Sequence, residues 1–375
     1  MRRRPLLSTA IEYSAALPAG AVIALVWANA SPPTYARTTG ALAFPVNQIG
    51  MAFFFGLAAK EVVEATAPGG ALHTWRRAAL PVIAACGGMA APALLYFAIV
   101  RAAGAGALAR GWAIPCATDV AFSFLVARAI FCRHPAIPFL LLLAVVDDAL
   151  GLVVLVLFYP SHELKLLAGS LLLASAMIVA YGLRKAGVRS FWPYVVGGGT
   201  LSWTALFVGG LHPALALVPI VPFMPRAAHD PGFFVEAPES AHDTLSAFEH
   251  AWKAPVQIVL FLFGLMNAGV SIGSYGPGTW AVLASIVAGK PVGIVASVAV
   301  AVGAGFQLPQ RFGWRDLVVV GCAAGIGFTV ALFFATAAFP PGALQDQAKL
   351  GALLSVGAGL VTVVAAVVLR VGRFE

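Results

Sequence analysis

The sequence predicts an all-α polytopic membrane protein of about twelve transmembrane helices, and three observations carry that prediction. Of the 375 residues, 61% are hydrophobic and only 10% charged, with a mean hydropathy of +0.92. A water-soluble chain of this length could not cover so much apolar surface. Apolar runs, most of them long enough to cross a bilayer, recur from one end to the other. Finally, the basic residues alternate between the loops in a consistent sense.

The apolar runs fall at 11–30, 47–65, 78–100, 112–131, 136–159, 164–183, 191–208, 211–224, 254–273, 279–304, 317–339 and 348–369. Each can satisfy its own backbone as a helix, which a bilayer demands. The seventh and eighth are the least regular, because Gly209, Gly210 and Pro213 lie between them. With the N-terminus cytoplasmic, sixteen lysines and arginines collect on that side, against five on the other: Arg37, Arg101, Arg110, Lys165 and Lys349. The net charge of +8 is thus a topology signal with both termini cytoplasmic, and no basic stripe or motif supports nucleic-acid binding. The opening MRRR, an apolar run and Ala28-Asn29-Ala30 resemble a cleavable signal peptide, although Glu12 argues against cleavage. Cys86, Cys116, Cys132 and Cys322 lie in or near apolar runs at no metal-like spacing, and read as buried free thiols. The longest polar stretch, about 225–250, reads as a cytoplasmic linker within one domain spanning 1–375, with SAFEH (246–250) helical.

CATDVAFSFLVA (116–127), in the fourth span, echoes GFTVALFFATA (327–337), in the eleventh. Helix-weakening residues surround both: Pro115 before the first, and Gly321, Gly325 and Gly327 around the second. Interrupted helices in corresponding places suggest a transporter built from inverted repeats. Close packing at small residues is the structural alternative.

Few ionisable residues lie within the spans: Lys60, Glu61 and Glu64 in the second, Asp119 in the fourth, Asp147 and Asp148 in the fifth, Lys290 in the tenth. Each carboxylate at mid-membrane costs roughly 2.5–3.5 kcal/mol on insertion scales, so such residues face a partner or a wet cavity. Asp147 and Asp148 leave their helix about 100° apart. One can therefore meet a neighbour while the other looks into a cavity, and Lys290, the one cation well inside a span, is the obvious partner. Two carboxylates in a partly desolvated site can take up and release protons near neutral pH. With the Thr118 hydroxyl and freed backbone carbonyls they also form a hard oxygen site for a small cation. A cation and protons competing for the same oxygens give exchange. A Lys290–Asp147 pair as structural glue would leave Asp148 and Asp119 unexplained.

GWAIPCATDVAF (111–122), LLLLAVVDDALGLVVLVLFY (140–159), AGKPVGI (288–294) and GIGFTV (325–330) resemble, in that order, the signature segments of the NhaA family of bacterial sodium/proton antiporters. AALPVIAACGGMAAPALLY (78–96), NAGVS (267–271) and KLGALLSVGAGL (349–360) extend the resemblance nearly end to end. It implies that Asp148 is the main ligand of the transported ion and a proton carrier, that Asp147 pairs with Lys290 in one protonation state, and that Thr118 adds a hydroxyl ligand. It implies two interrupted helices, spans 4 and 11, crossing at mid-membrane, broken at Pro115, Gly325 and Gly327. Asp119 would face the positive ends of the half-helices and Lys290 the negative ends. It further implies electrogenic export of Na+ or Li+ against two H+ by alternating access, a bacterial inner-membrane location, no cofactor, and a homodimer.

Two segments depart from the family pattern. The second span ends in AAKEVVEA (58–65) rather than a run close to LEVKREL, with Lys60 at an apolar position of the pattern. Glu61, Glu64 and Glu249 would belong to a cytoplasmic funnel tied to activation by alkaline pH, and the departure puts that regulation in doubt. HPALAL (212–217) carries an added Pro213, and His212 reads equally well as an interfacial side chain. Other functions fit less well. An intramembrane aspartyl protease would need a Gly-x-Gly-Asp motif, which is missing, and Lys290 would interfere with a shared proton. Prenyl-transfer enzymes space their acids one turn apart, unlike adjacent Asp147-Asp148. A channel would show rings of carbonyls or charges. A same-fold exchanger with another ion choice remains the alternative.

Overall fold

The computed structural model describes residues 15–73, 75–132, 134–226 and 243–374. Arg2, Arg3, Arg4, Glu12, Arg133 and most of the expected linker lie outside the described residues. Regular structure among the described residues is helical. In chain order the helices are α1 (Ala16–Ala30), α2 (Pro32–Thr66), α3 (Trp75–Ala102), α4 (Gly106–Cys116) and α5 (Val120–Phe131). Then come α6 (Ala136–Phe158), α7 (Leu166–Lys185), α8 (194–209) and α9 (Thr244–Asn267). The chain closes with α10 (Pro277–Gly303), α11 (Trp314–Ala324), α12 (Phe328–Ala338) and α13 (Ala343–Leu369). Six of these (α2, α3, α6, α7, α10 and α13) are long and apolar enough to cross a membrane. The pairs α4/α5 and α11/α12 meet the same test together, but bend by 52° and 48° at short breaks.

Prolines mark a helix start and accompany the π-turns, although Pro81, Pro92 and Pro255 lie inside α-helical stretches. α2 begins at Pro32, fifteen residues before the expected 47, because Pro32 and Pro33 occupy first-turn positions where a missing N–H costs nothing. The wider π-turns each have a proline nearby: Pro45 opens Pro45–Gly50, Pro193 precedes Tyr194–Gly199, and Pro291 lies two residues past Ser285–Gly289. A residue that cannot donate to the i−4 carbonyl lets the ladder slip by one.

The eighth expected helix, 211–224, is absent. After Gly210 turns the chain at φ +82, short 3₁₀ turns at Pro213–Leu215 and Val221–Phe223 replace it. Pro213, Pro219 and Pro222 fall every three to six residues, too densely for an α-helical ladder. Donors between them close i−3 turns instead, such as Leu215 N to His212 O at 3.1 Å and Met224 N to Val221 O at 3.0 Å. Most of the segment is buried in protein, where non-helical backbone is tolerated at membrane depth. SAFEH is helical, opening α9 behind an Asp243 cap at 2.6 Å from Ser246 N.

The outer faces are greasy. Leu167, Val300, Leu360 and Val368 are 72–77% exposed, a surface suited to lipid tails. Inside, helices meet at small residues. At Gly293 of α10 a Cβ would strike the backbone carbonyl of Gly87 on α3, so the two backbones touch only because both residues are glycine. The expectation of four buried thiols holds for Cys116 and Cys322 alone. All four are free, but Cys86 and Cys132 are exposed, the latter in the turn that ends α5.

Candidate functional site

The two helix breaks lie against each other. Pro115 sits in the last turn of α4, and Ala117 leaves it in an extended conformation. Gly325 and Gly327 flank the break between α11 and α12. Asp119 N donates to Ile326 O across the two breaks at 2.5 Å. A Cβ on Gly327 would stand 2.7 Å from Ala117 O, so this approach requires glycine. The carbonyls freed at the end of α11 find partners on the other pair: Ser123 Oγ donates to Ala323 O at 2.7 Å, and Thr118 Oγ1 lies 3.0 Å from Ala324 O.

Charges sit where the helix ends favour them. Asp119 caps α5 through Phe122 N at 3.1 Å and also accepts from Thr329 N, in the first turn of α12, at 3.2 Å. The Thr329 hydroxyl donates to the same carboxylate. One buried acid therefore serves the positive ends of two helices. Lys290, which exposes no surface, donates to the Cys116 carbonyl at the C-terminal end of α4 and lies 2.6 Å from Asp147 Oδ2.

The adjacent aspartates diverge as the helical period requires. Asp147, 4% exposed, meets Lys290 and, at 2.5 Å, the Thr118 hydroxyl through Oδ2, while its buried Oδ1 has no partner among the described residues. Asp148, half-buried, has no hydrogen bond among the described residues. Both line a cavity walled by Phe54, Phe55, Met89, Phe333 and Phe334. Thr118, Asp119, Asp147, Asp148 and Lys290 thus converge, together with Pro115, Gly325 and Gly327.

Glu64 and Glu249 share one partner, Lys60. Lys60, buried rather than lost at an apolar position, pairs with Glu64 and lies 2.7 Å from Glu249 Oε2, while Glu61 stays outside that ion pair. His212 is 9% exposed, its ring 5.8 Å from that of Phe333, which contradicts the interfacial reading: the 3₁₀ segment folds it inward. Sequence reasoning missed Thr329, Ser123 and the aromatic cavity walls. Thr329 had a signal, since it occupies the place of Thr118 in the echoed segments.

Two bent helix pairs that meet inside an all-helical membrane protein, with carboxylates and a lysine held between them, define a membrane ion transporter. A family model described as Na+/H+ antiporter 1 matches residues 6–369. The chain is 46% identical to the Na(+)/H(+) antiporter NhaA of Geobacter sulfurreducens, over 100% of both chains. It is also 46% identical to the Na(+)/H(+) antiporter NhaA 1 of Pelobacter propionicus, over 96% of this chain and 97% of that one. The solved structure of the sodium proton antiporter MjNhaP1 of Methanocaldococcus jannaschii shares the fold, with a TM-score of 0.59 at 15% identity, covering 97% of this chain and 96% of that one. The chain belongs to the Na+/H+ antiporter 1 family.

Proposed function

We propose that this protein exports Na+, and Li+ in its place, in exchange for H+ across a bacterial inner membrane. The observation that carries the reading is the convergence of Asp147 and Asp148 on one cavity beside the two helix breaks, with the Thr118 hydroxyl 2.5 Å from Asp147 Oδ2. Asp148 binds the cation and carries a proton. Asp147 exchanges its pairing with Lys290 for a cation or proton, with its free Oδ1 and the Thr118 hydroxyl as further oxygen ligands. Hard oxygens of this kind suit a small cation and hold protons equally well, so the two compete. Asp119 and Lys290 offset the half-helix ends, which keeps the broken backbone tolerable in every state. Two protons per Na+ make the cycle electrogenic, and the proton gradient drives it by alternating access.

In this reading the chain crosses twelve times, with the irregular 211–224 as one crossing, both termini cytoplasmic, and the bent pairs as the crossing helices of an inverted repeat. Glu61, Glu64 and Glu249, the last two held by Lys60, form the cytoplasmic mouth through which pH regulates transport, and the unit pairs as a homodimer. The test is cation-dependent collapse of a proton gradient in everted vesicles, comparing wild type with Asp148→Asn across pH 6.5–9. Collapse by Na+ or Li+ in wild type alone supports the reading. No response to either ion, or full activity in Asp148→Asn, sinks it, and a response to K+ alone would favour the exchanger of different ion choice.

A further inference from the structure

α4 is wound as a 3₁₀ helix over all 11 residues from Gly106 to Cys116. Runs of this kind seldom pass three or four residues, because side chains eclipse and the hydrogen bonds align poorly. A contact from outside α4 has to hold it there. Tyr159, which closes α6 and exposes no surface, makes a contact of the required kind. Its hydroxyl donates to the Arg110 carbonyl at 2.7 Å and accepts from the Ala113 N–H at 3.3 Å. These are an acceptor and a donor three residues apart, the pair that one rung of a 3₁₀ ladder joins. In an α-helix Ala113 N would turn to Ala109 O, and Arg110 O to Ile114 N, so the tyrosine favours the tighter winding. Tyr96 of α3, equally buried, meets the turn before at 2.8 Å from Leu108 O. A Cβ on Gly111 would stand 2.5 Å from that hydroxyl, so a second tyrosine lies directly on the α4 backbone.

The helix that carries Tyr159 also carries Asp147, twelve residues or about 18 Å back along α6. There the Thr118 hydroxyl, just past the end of α4, lies 2.5 Å from Asp147 Oδ2. α6 therefore grips this stretch of chain at two points, one at each end. A 3₁₀ helix rises about 0.5 Å more per residue than an α-helix, which over the six steps from Arg110 to Cys116 amounts to about 3 Å. Rewinding to α would withdraw Thr118 from Asp147 by more than a hydrogen bond can stretch.

We propose that Tyr159 is a positioning residue for transport: its hydroxyl, bridging the Arg110 carbonyl and the Ala113 N–H, keeps α4 in its 3₁₀ winding and so holds Thr118 at Asp147. The inference rests on the reading of Thr118 and Asp147 as oxygen ligands of the cation, and adds the residue that sets their spacing. Tyr159 touches no ion itself and acts through Thr118 alone.

The test uses everted vesicles at pH 8.5 with Na+ varied. Tyr159→Phe keeps the ring and its edge contact with Phe334, and frees Arg110 O and Ala113 N to take their α-helical partners, so no buried group is stranded. It is expected to raise the apparent KM for Na+ about fivefold, the worth of one hydrogen bond, with Vmax within about twofold of wild type. A merely structural role would lower Vmax through lost protein and leave KM in place. Tyr194→Phe removes another buried hydroxyl, 3.2 Å from Val188 O, and as a control leaves KM unchanged. Because Tyr159 acts through Thr118, the raised KM of Thr118→Ala should rise no further in the double variant Thr118→Ala/Tyr159→Phe. An unchanged KM in Tyr159→Phe, or effects that multiply in the double variant, overturns the inference. Should Tyr159→Phe fail to accumulate, Tyr159→Met, which also lacks the hydroxyl, carries the same test. A wild-type KM in Thr118→Ala would remove Thr118 from the ion site and this inference with it, whereas wild-type vesicles without Na+ response would sink the antiporter reading itself.

Discussion

Replacing Lys290 by Met isolates what its ammonium does. In the native structure that group exposes no surface, lies 2.6 Å from Asp147 Oδ2 and donates to the Cys116 carbonyl. Met fills much of the same volume but leaves the buried Asp147 carboxylate without a counter-charge. Breaking one side of a buried pair costs about 3–5 kcal/mol. Unfolding entropy of ~2.1 cal/mol/K per residue, taken over 375 residues, gives ~0.8 kcal/mol/K. The loss then corresponds to a fall in melting temperature of roughly 4–6 °C. Asp147→Asn, which strands the lysine, should fall by a similar amount, whereas the double variant Asp147→Asn/Lys290→Met should recover most of it. The assay is thermal unfolding of the four purified proteins in one detergent. If the two single losses simply add in the double variant, Lys290 and Asp147 do not act as a pair and the argument fails.

Competition at shared oxygens predicts that the apparent KM for Na+ rises as pH falls from 8.5 to 6.5, while Vmax at saturating Na+ holds. A pH effect confined to Vmax in wild-type vesicles would contradict it. Gly293→Ala drives a Cβ into the Gly87 carbonyl and should cost about 1–3 kcal/mol in the same unfolding assay. Gly182→Ala, on an exposed helix face with open space around it, should instead gain up to about 1 kcal/mol. Equal effects from the two would mean that α3 and α10 do not depend on their close approach.

Much of this protein was legible without coordinates. A membrane helix satisfies its own backbone, so hydropathy alone located most of the helices, and the insertion penalty on a buried charge singled out Asp119, Asp147, Asp148 and Lys290. The helical period required the two adjacent aspartates to diverge, and one does meet Lys290 while the other stands free in the cavity. Where prolines crowd, the pattern misled: 211–224 is apolar enough for a helix, yet its missing N–H donors leave only 3₁₀ turns. What tertiary structure alone decided are contacts between residues far apart in the chain. Asp119 reaches Thr329, Lys60 reaches Glu249, and Thr118 reaches both Asp147 and the Ala324 carbonyl. A sequence records which groups must find partners, because burial makes an unpaired charge expensive. Which partner each group finds depends on how separate helices pack, and that is a property of three-dimensional neighbours rather than of any local stretch of chain.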